Sequence, residues 1–146
     1  MSPIQTFLPY DHLRKSARVL DRARLGKQRV ENLQIMGALL TGESRWKNHP
    51  AVKMWAGYEG ALLVYQSAIC EEWMSRGYKD TCLEKTIALM EKHFKSPPRP
   101  IRPPWFGNEA FHAAHRSNLL RKNPEYYGQF GWSEPDNLPY IWPTNG

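Results

Sequence analysis

Cysteine is nearly missing from this 146-residue chain. There are two, Cys70 and Cys82, with no CxxC pair and no histidine spaced beside them. A disulfide framework is thereby set aside, and a reduced, intracellular protein is expected. Long apolar runs are missing as well: none approaches the ~18 residues of a membrane span, and the opening MSPIQTFLPY lacks the charged-then-apolar form of a signal peptide. Neither secretion nor a membrane is expected. Internal repeats are absent, and strand signals amount to one possible short pair. A phosphate-binding loop is excluded too, because Gly26-Lys27 has neither the earlier glycine nor the following Ser or Thr.

What the chain does have is positive charge and flat rings. Lys and Arg number 20 against 14 Asp and Glu, a net +6. Such an excess favours a polyanionic partner, since each neutralised phosphate releases a counterion. Aromatics make up 12% and include six tryptophans, which either fill a core or offer faces to nucleobases. The length suits one unit over residues 1–146 with a single core.

Helical patterns separated by proline and glycine point to an all-α fold: a compact single-domain helical bundle with long irregular C-terminal segments. The first pattern runs from Ser16 to Leu40. Turned at 100° per residue, it sets Val30, Leu33, Gly37 and Leu40 on one face and Arg24, Lys27, Gln28 and Glu31 on the opposite one. The first face is expected to be core and the second to carry chemistry or meet solvent. Ile35 and Leu39 make the far end of the polar side apolar, so that end should enter the core, while Gly26 marks a break or a close backbone approach. A second helix starts near NHPAVKMW with Asn48 as cap, bends between Gly57 and Gly60, and stops at Gly77. A third starts at Asp80 or Thr81, with Thr81 and Glu84 spaced as a capping box and Leu83, Ile87, Met90 and Phe94 as its stripe. SPPRPIRPPW holds five prolines between positions 97 and 104 and reads as an extended crossing segment. Asn108 caps a fourth helix that ends at Lys122 before Pro124. The tail SEPDNLPYIWPTNG reads as an ordered loop, because Tyr140, Ile141 and Trp142 need somewhere to pack.

The densest charge lies in LDRARLGKQRVE, residues 20–31, where Arg22, Arg24, Lys27 and Arg29 accompany Asp21 and Glu31. At most two cations can be paired within the stretch, and the rest suit a phosphate backbone. A carboxylate among cations stays ionised and can stabilise a developing sugar cation or orient a nucleophile. Glu31, which shares a face with Arg24 and Lys27, fits that role; Asp21 is its rival, with helix capping or a salt bridge as the competing use. Further along, His112 and His115 stand one turn apart with Glu109 before them. They are open to three readings: a metal site, core histidines, or a DNA-facing pair with Arg116. His49 suits a helix start and could also reach a phosphate. In LLRKNPEYYGQFGW, cations and rings interleave as they do where bases are flipped or single strands bound, which singles out Tyr126 and Tyr127.

Three stretches together resemble the pyrimidine-dimer DNA glycosylases of the phage endonuclease V type. MSPIQTFL resembles that family's short N-terminal segment before a helix bearing the active-site acid and arginines. NHPAVKMWAGYEGALLVYQSAICEEWMSRGY resembles its central helix. NEAFHAAHRSNLLRKNPEYYGQF resembles its last helix and the proline, paired aromatics and glycine beyond. The resemblance implies a helical domain that clamps damaged duplex DNA and flips a base, with the α-amine of residue 2 attacking the sugar C1′, an imine intermediate and strand cleavage by β-elimination. The nucleophile would then be Ser2, once Met1 is removed, although Pro3 follows it. That family carries a glutamate some twenty residues in. Here the region reads LDRARLGKQR, with Asp21 near the place and Gln28 and Glu31 further on, so the acid is Glu31 or Asp21.

The expectation is therefore a DNA glycosylase and lyase for a pyrimidine dimer or another altered base, working as an intracellular, nucleoid-associated monomer without metal or organic cofactor. Arg22, Arg24, Lys27, Gln28, Arg29, His49, His115, Arg116 and Lys122 would contact DNA, and Tyr126 and Tyr127 would line or wedge the flipped nucleotide. The alternatives are an inactive DNA-binding module of the same fold, or a metal-dependent nuclease or base-modifying enzyme built on Glu109, His112 and His115.

Overall fold

The computed structural model describes residues 4–143, and every regular element among them is helical. The order is α1 (Leu13–Val19), α2 (Arg22–Thr41), α3 (Pro50–Lys53), α4 (Glu59–Ser75), α5 (Cys82–His93), α6 (Glu109–Lys122) and α7 (Pro124–Tyr127), followed by a short 3-10 turn, Gly128–Phe130. The chain is all-α, with no strand among the described residues. None of these helices is long and apolar enough to cross a membrane.

Most helix ends follow the local punctuation. Gly77 adopts φ +96 just beyond α4, Asn108 accepts the Phe111 N–H at the start of α6, and Pro124 opens α7. Two caps differ from expectation. His49 Nδ1, not Asn48, accepts the Ala51 N–H at α3. At α5 the Thr81 hydroxyl caps nothing, and the Asp80 carboxylate accepts from the Cys82 and Leu83 N–H groups at 3.2 and 2.9 Å. A carboxylate suits that place because it can also meet Arg29, at 2.6 Å.

The long first helix expected over Ser16–Leu40 is two helices. Leu20 and Asp21 are extended, with ψ 136 and 161. The Asp21 N–H donates to the Tyr127 hydroxyl, and that hydroxyl donates back to the Asp21 carboxylate, so a contact from the far end of the chain holds the break. Gly26 causes no break. It lies inside α2, where a Cβ would come within 2.9 Å of the Trp73 ring, so the close approach is the true use of that glycine.

The faces of α2 are also inverted at its start. Val30 is 42% exposed, while Gln28, Glu31 and Asn32 are buried beside Leu25, Ile35 and Met36. The polar groups are inside because residues 4–8, an extended strap without regular structure of its own, lie against them and supply backbone bonds. α2 packs on α4 and α5, and α4 also carries α1. Tyr65 and Ile69 of α4 are fully buried, and Trp55 stacks on Tyr65 with Trp105 edge-on to it. The proline-rich segment crosses α4 without regular structure at Gly60, where any Cβ would overlap the Arg99 carbonyl. Cys70 and Cys82 are free and buried. In the irregular tail Tyr140 and Trp142 pack against the core as expected, together with Trp132, whereas Ile141 is exposed.

Candidate active site

The strap is fastened residue by residue. Gln28 accepts the Phe7 N–H at 3.1 Å and donates to the Gln5 carbonyl at 2.8 Å. His115 Nδ1 accepts the Leu8 N–H, and His112 Nδ1 meets the Leu8 carbonyl, both at 2.7 Å. The Tyr65 hydroxyl donates to the Phe7 carbonyl, and the Trp55 indole to Thr6. One strap group goes to the candidate acid: the Gln5 N–H donates to Glu31 Oε2 at 3.0 Å. The chain's first described residues are thus held against Glu31.

Two hollows meet at Glu31 and Lys27. The first, about 260 Å³, is lined by Gln5, Phe7, Ala23, Arg24, Lys27, Glu31 and Lys122. The second, about 250 Å³, is lined by Ile4, Lys27, Val30, Glu31, Gln34, Arg45 and Trp46. Burial pushes the Glu31 carboxyl up to about 7, against the opposing pull of Lys27 and the Gln5 N–H. The cations were expected to keep this group ionised; desolvation outweighs them because no ion pair closes between Lys27 and Glu31. Glu31 can therefore give or take a proton at neutral pH. The cations around it repel one another. Lys122 is lowered by burial and then by Arg24, Arg121 and Lys27, the mark of a cluster short of anions.

Of the residues singled out in the sequence, Arg24, Lys27, Glu31 and Lys122 come together in the first hollow. Asp21 lies next to them, 3.1 Å from Arg24, with its carboxylate also taken by the Tyr127 hydroxyl. That makes Asp21 a structural anchor, as its competing reading had it. Arg22 is exposed, its guanidinium over the Tyr78 ring and outside both hollows. His49 is the α3 cap.

Six residues expected to contact DNA have partners within the protein. Gln28 is fully buried in its bonds to the strap and Asn32. Arg29 pairs with Asp80 and stacks over Trp73, 4.4 Å from the ring centroid. His115 is fully buried, and desolvation pushes it down to about 3, so it stays a neutral acceptor for the strap. Arg116 bonds the Pro9 carbonyl, Glu109 and Glu134. Tyr127 is fully buried on Asp21, and its neighbour Tyr126 is half-buried against Tyr127 and Phe130. The metal reading fails on the same ground. Both His112 nitrogens are engaged, the second by the Gly107 N–H, and Glu109 is held by Arg116. No cluster of three or more His, Cys, Asp or Glu that could hold a metal exists among the described residues. Ser2 lies outside the described residues.

Sequence reasoning passed over Gln5, Phe7, Gln34, Arg45, Trp46 and Arg121. The basic-aromatic interleaving that picked out residues 121–127 is equally present in SRWKN and would have found Arg45 and Trp46.

A family model described as pyrimidine dimer DNA glycosylase matches residues 4–86. That span holds the strap, Glu31, Lys27 and Arg24, while Lys122, the Tyr126–Tyr127 pair and the tail lie beyond it. No curated protein and no solved structure matches the chain. The match covers more than half of the 146 residues and includes the strap and acid around which both hollows form, and the chain belongs to the pyrimidine dimer DNA glycosylase family.

Proposed function

We propose that the protein is a DNA glycosylase and lyase that removes a pyrimidine dimer or another altered base from duplex DNA through an imine at the Ser2 amine. Its cleft faces the sugar of an extrahelical nucleotide. The unprotonated amine attacks C1′, the C1′–N glycosidic bond breaks, and the base leaves with the electron pair and is protonated as it departs. Opening of the C1′–O4′ bond gives the imine. Loss of a C2′ proton to a base then expels the 3′ phosphate, cutting the strand, and water hydrolyses the imine to return the amine. Glu31 is the proton-transferring group.

The observation that supports this most is the placement of Glu31: a buried carboxyl near neutral pKa at the meeting of two hollows, with a strap residue bonded to it. Ile4, two positions after Ser2 in the sequence, lines the second of these hollows. An α-amine has an ordinary value near 8, so part of it is unprotonated at neutral pH. The reading includes one domain, a monomer, an intracellular and nucleoid-associated setting, and no cofactor.

Borohydride reduction in the presence of abasic-site duplex is expected to link protein and DNA covalently in the form of the protein whose intact mass shows Met1 removed. Lys27→Ala should still trap once protein is raised to saturate the DNA, where its weaker phosphate binding no longer limits the adduct. No adduct from the processed protein would reduce the domain to a binder, and loss of trapping in Lys27→Ala would move the imine to that lysine.

The cation cluster gives a separate expectation. Lys27→Gln and Lys122→Gln should each weaken binding to undamaged duplex and flatten the log affinity against log salt plot by about 1 unit of slope. Arg116→Gln should leave the slope unchanged, because its charge is spent on Glu109 and Glu134. Titrations at several salt concentrations decide this.

A further inference from the structure

We propose that a third hollow, where the proline-rich segment crosses α4, docks the C-terminal aromatic residue of an acidic protein segment, with the ring inside and the terminal carboxylate on Arg102. The site lies apart from Glu31, since no residue that lines it lines either of the other two hollows. It stands independently of the functional reading above.

The hollow has two unlike walls. Trp55 and Val64 stand in one, within the family match, while Pro100, Pro103 and Phe106 form the other, beyond that match. Both are fixed in place. Trp55 is buried, stacked on Tyr65 and bonded through its indole N–H to Thr6, and Phe106 is met edge-on by Trp105 and His112. The crossing segment is pressed onto Gly60 through the Arg99 carbonyl, and the Ile101 N–H closes a tight turn on that same carbonyl at 2.9 Å. Walls formed in advance spare binding the cost of ordering them.

Size and polarity select the ring. The hollow measures about 150 Å³, and an apolar cavity of about that volume admits one benzene ring. Apart from Arg102 every lining side chain is apolar, and the one indole N–H among them is already spent on Thr6. A nucleobase would bring edge donors and acceptors that find no partner here, whereas a phenyl ring brings none. Val64, left 43% exposed, is apolar surface that such a ring would cover.

Charge selects the rest of the partner. The Arg102 guanidinium lies over the Phe106 ring, 4.5 Å from its centroid, and makes no hydrogen bond or ion pair among the described residues. Stacking thus holds the planar fork with its donors open, as bidentate capture of a carboxylate requires. A terminal aromatic residue carries ring and carboxylate on one Cα, so it reaches both features at once. Arg99, exposed on the same segment, adds attraction for acidic residues that precede the ring.

Fluorescence anisotropy of the whole chain at physiological salt tests this, with fluorescein-labelled Asp-Asp-Asp-Asp-Leu-Phe as the probe. The free acid is expected to bind at least tenfold more tightly than the same peptide with a C-terminal amide or with alanine in place of the phenylalanine. Arg102→Gln should erase the preference for acid over amide. Val64→Phe, at an exposed position where the added ring fills the hollow, should erase the preference for phenylalanine over alanine. Undamaged duplex should not displace the probe. No binding, equal binding of the three peptides, or a preference that its variant leaves intact would overturn the proposal, and displacement by duplex would do the same by putting the peptide in the cationic cleft. N-acetylphenylalanine binding as tightly as the hexapeptide would make the hollow a site for a small aromatic carboxylate and overturn the protein partner.

Discussion

Glu31→Gln is expected to lower base release from dimer-containing DNA by about 10²–10³-fold at neutral pH, in the range found when one positioned catalytic group is removed, and to make the protein more stable at pH 8. Both effects come from the same burial. Glu31 is 5% exposed and its carboxyl holds its proton up to about 7, against an ordinary value of 4.5. Between those values the unfolded chain has released the proton while the folded one keeps it. Stability therefore falls as pH rises from about 4.5 to 7, and the full cost stands above 7. A difference of that size corresponds to roughly 3 kcal/mol. The amide removes the charge and still accepts the Gln5 N–H, so the strap stays in place. Thermal melts should show Glu31→Gln several degrees above the parent at pH 8, with the gap closing below pH 4.5. Rate profiles should show a limb that falls above about pH 7 in the parent and is missing from the variant's residual activity. A variant that melts higher yet releases base at the parental rate would leave Glu31 as buried ballast and remove it from the chemistry.

How far this site could be read from the sequence depends on where each residue's partner lies. Helix ends were legible at Gly77, Asn108 and Pro124 because each acts through its own φ or a neighbouring N–H. The break at Leu20–Asp21 was not, because what holds it is Tyr127, 106 residues away. The same holds for the charged stretch. Its excess of cations is visible in LDRARLGKQRVE, yet nothing local tells that Arg29 is taken by Asp80, 51 residues on, while Lys27 is left to the cleft. Periodicity misjudged the inner face of α2 for a related reason. Gln28 and Glu31 read as outward because they are polar, and they are buried because the strap needs acceptors and donors for a backbone with no sheet or helix to pair with.

That dependence makes Gln28 the second residue whose loss should be costly. Its side chain makes three bonds, buried ones to the Phe7 N–H and to the Asn32 amide oxygen at 2.9 Å and a part-buried one to the Gln5 carbonyl. Gln28→Leu fills the space and leaves all three groups unpaired, at about 1–3 kcal/mol each. The strap can limit that penalty by lifting off and rehydrating, and lifting off carries Ile4 and Gln5 away from Glu31. The expected phenotype is therefore a fall in melting temperature together with near-complete loss of borohydride trapping, out of proportion to the unfolded fraction. Gln28→Glu separates the two causes. Its carboxylate can still accept from Phe7 but faces the Gln5 carbonyl with a second acceptor, a clash relieved only when a proton is added. Trapping by Gln28→Glu should recover as pH is lowered, because the protonated carboxyl donates where the amide did. Gln28→Leu has no proton to gain and should stay inactive across the range. If both variants keep parental trapping at every pH, the strap is not held by Gln28, and what places residues 4–8 beside Glu31 must be sought in Tyr65, His112 and His115.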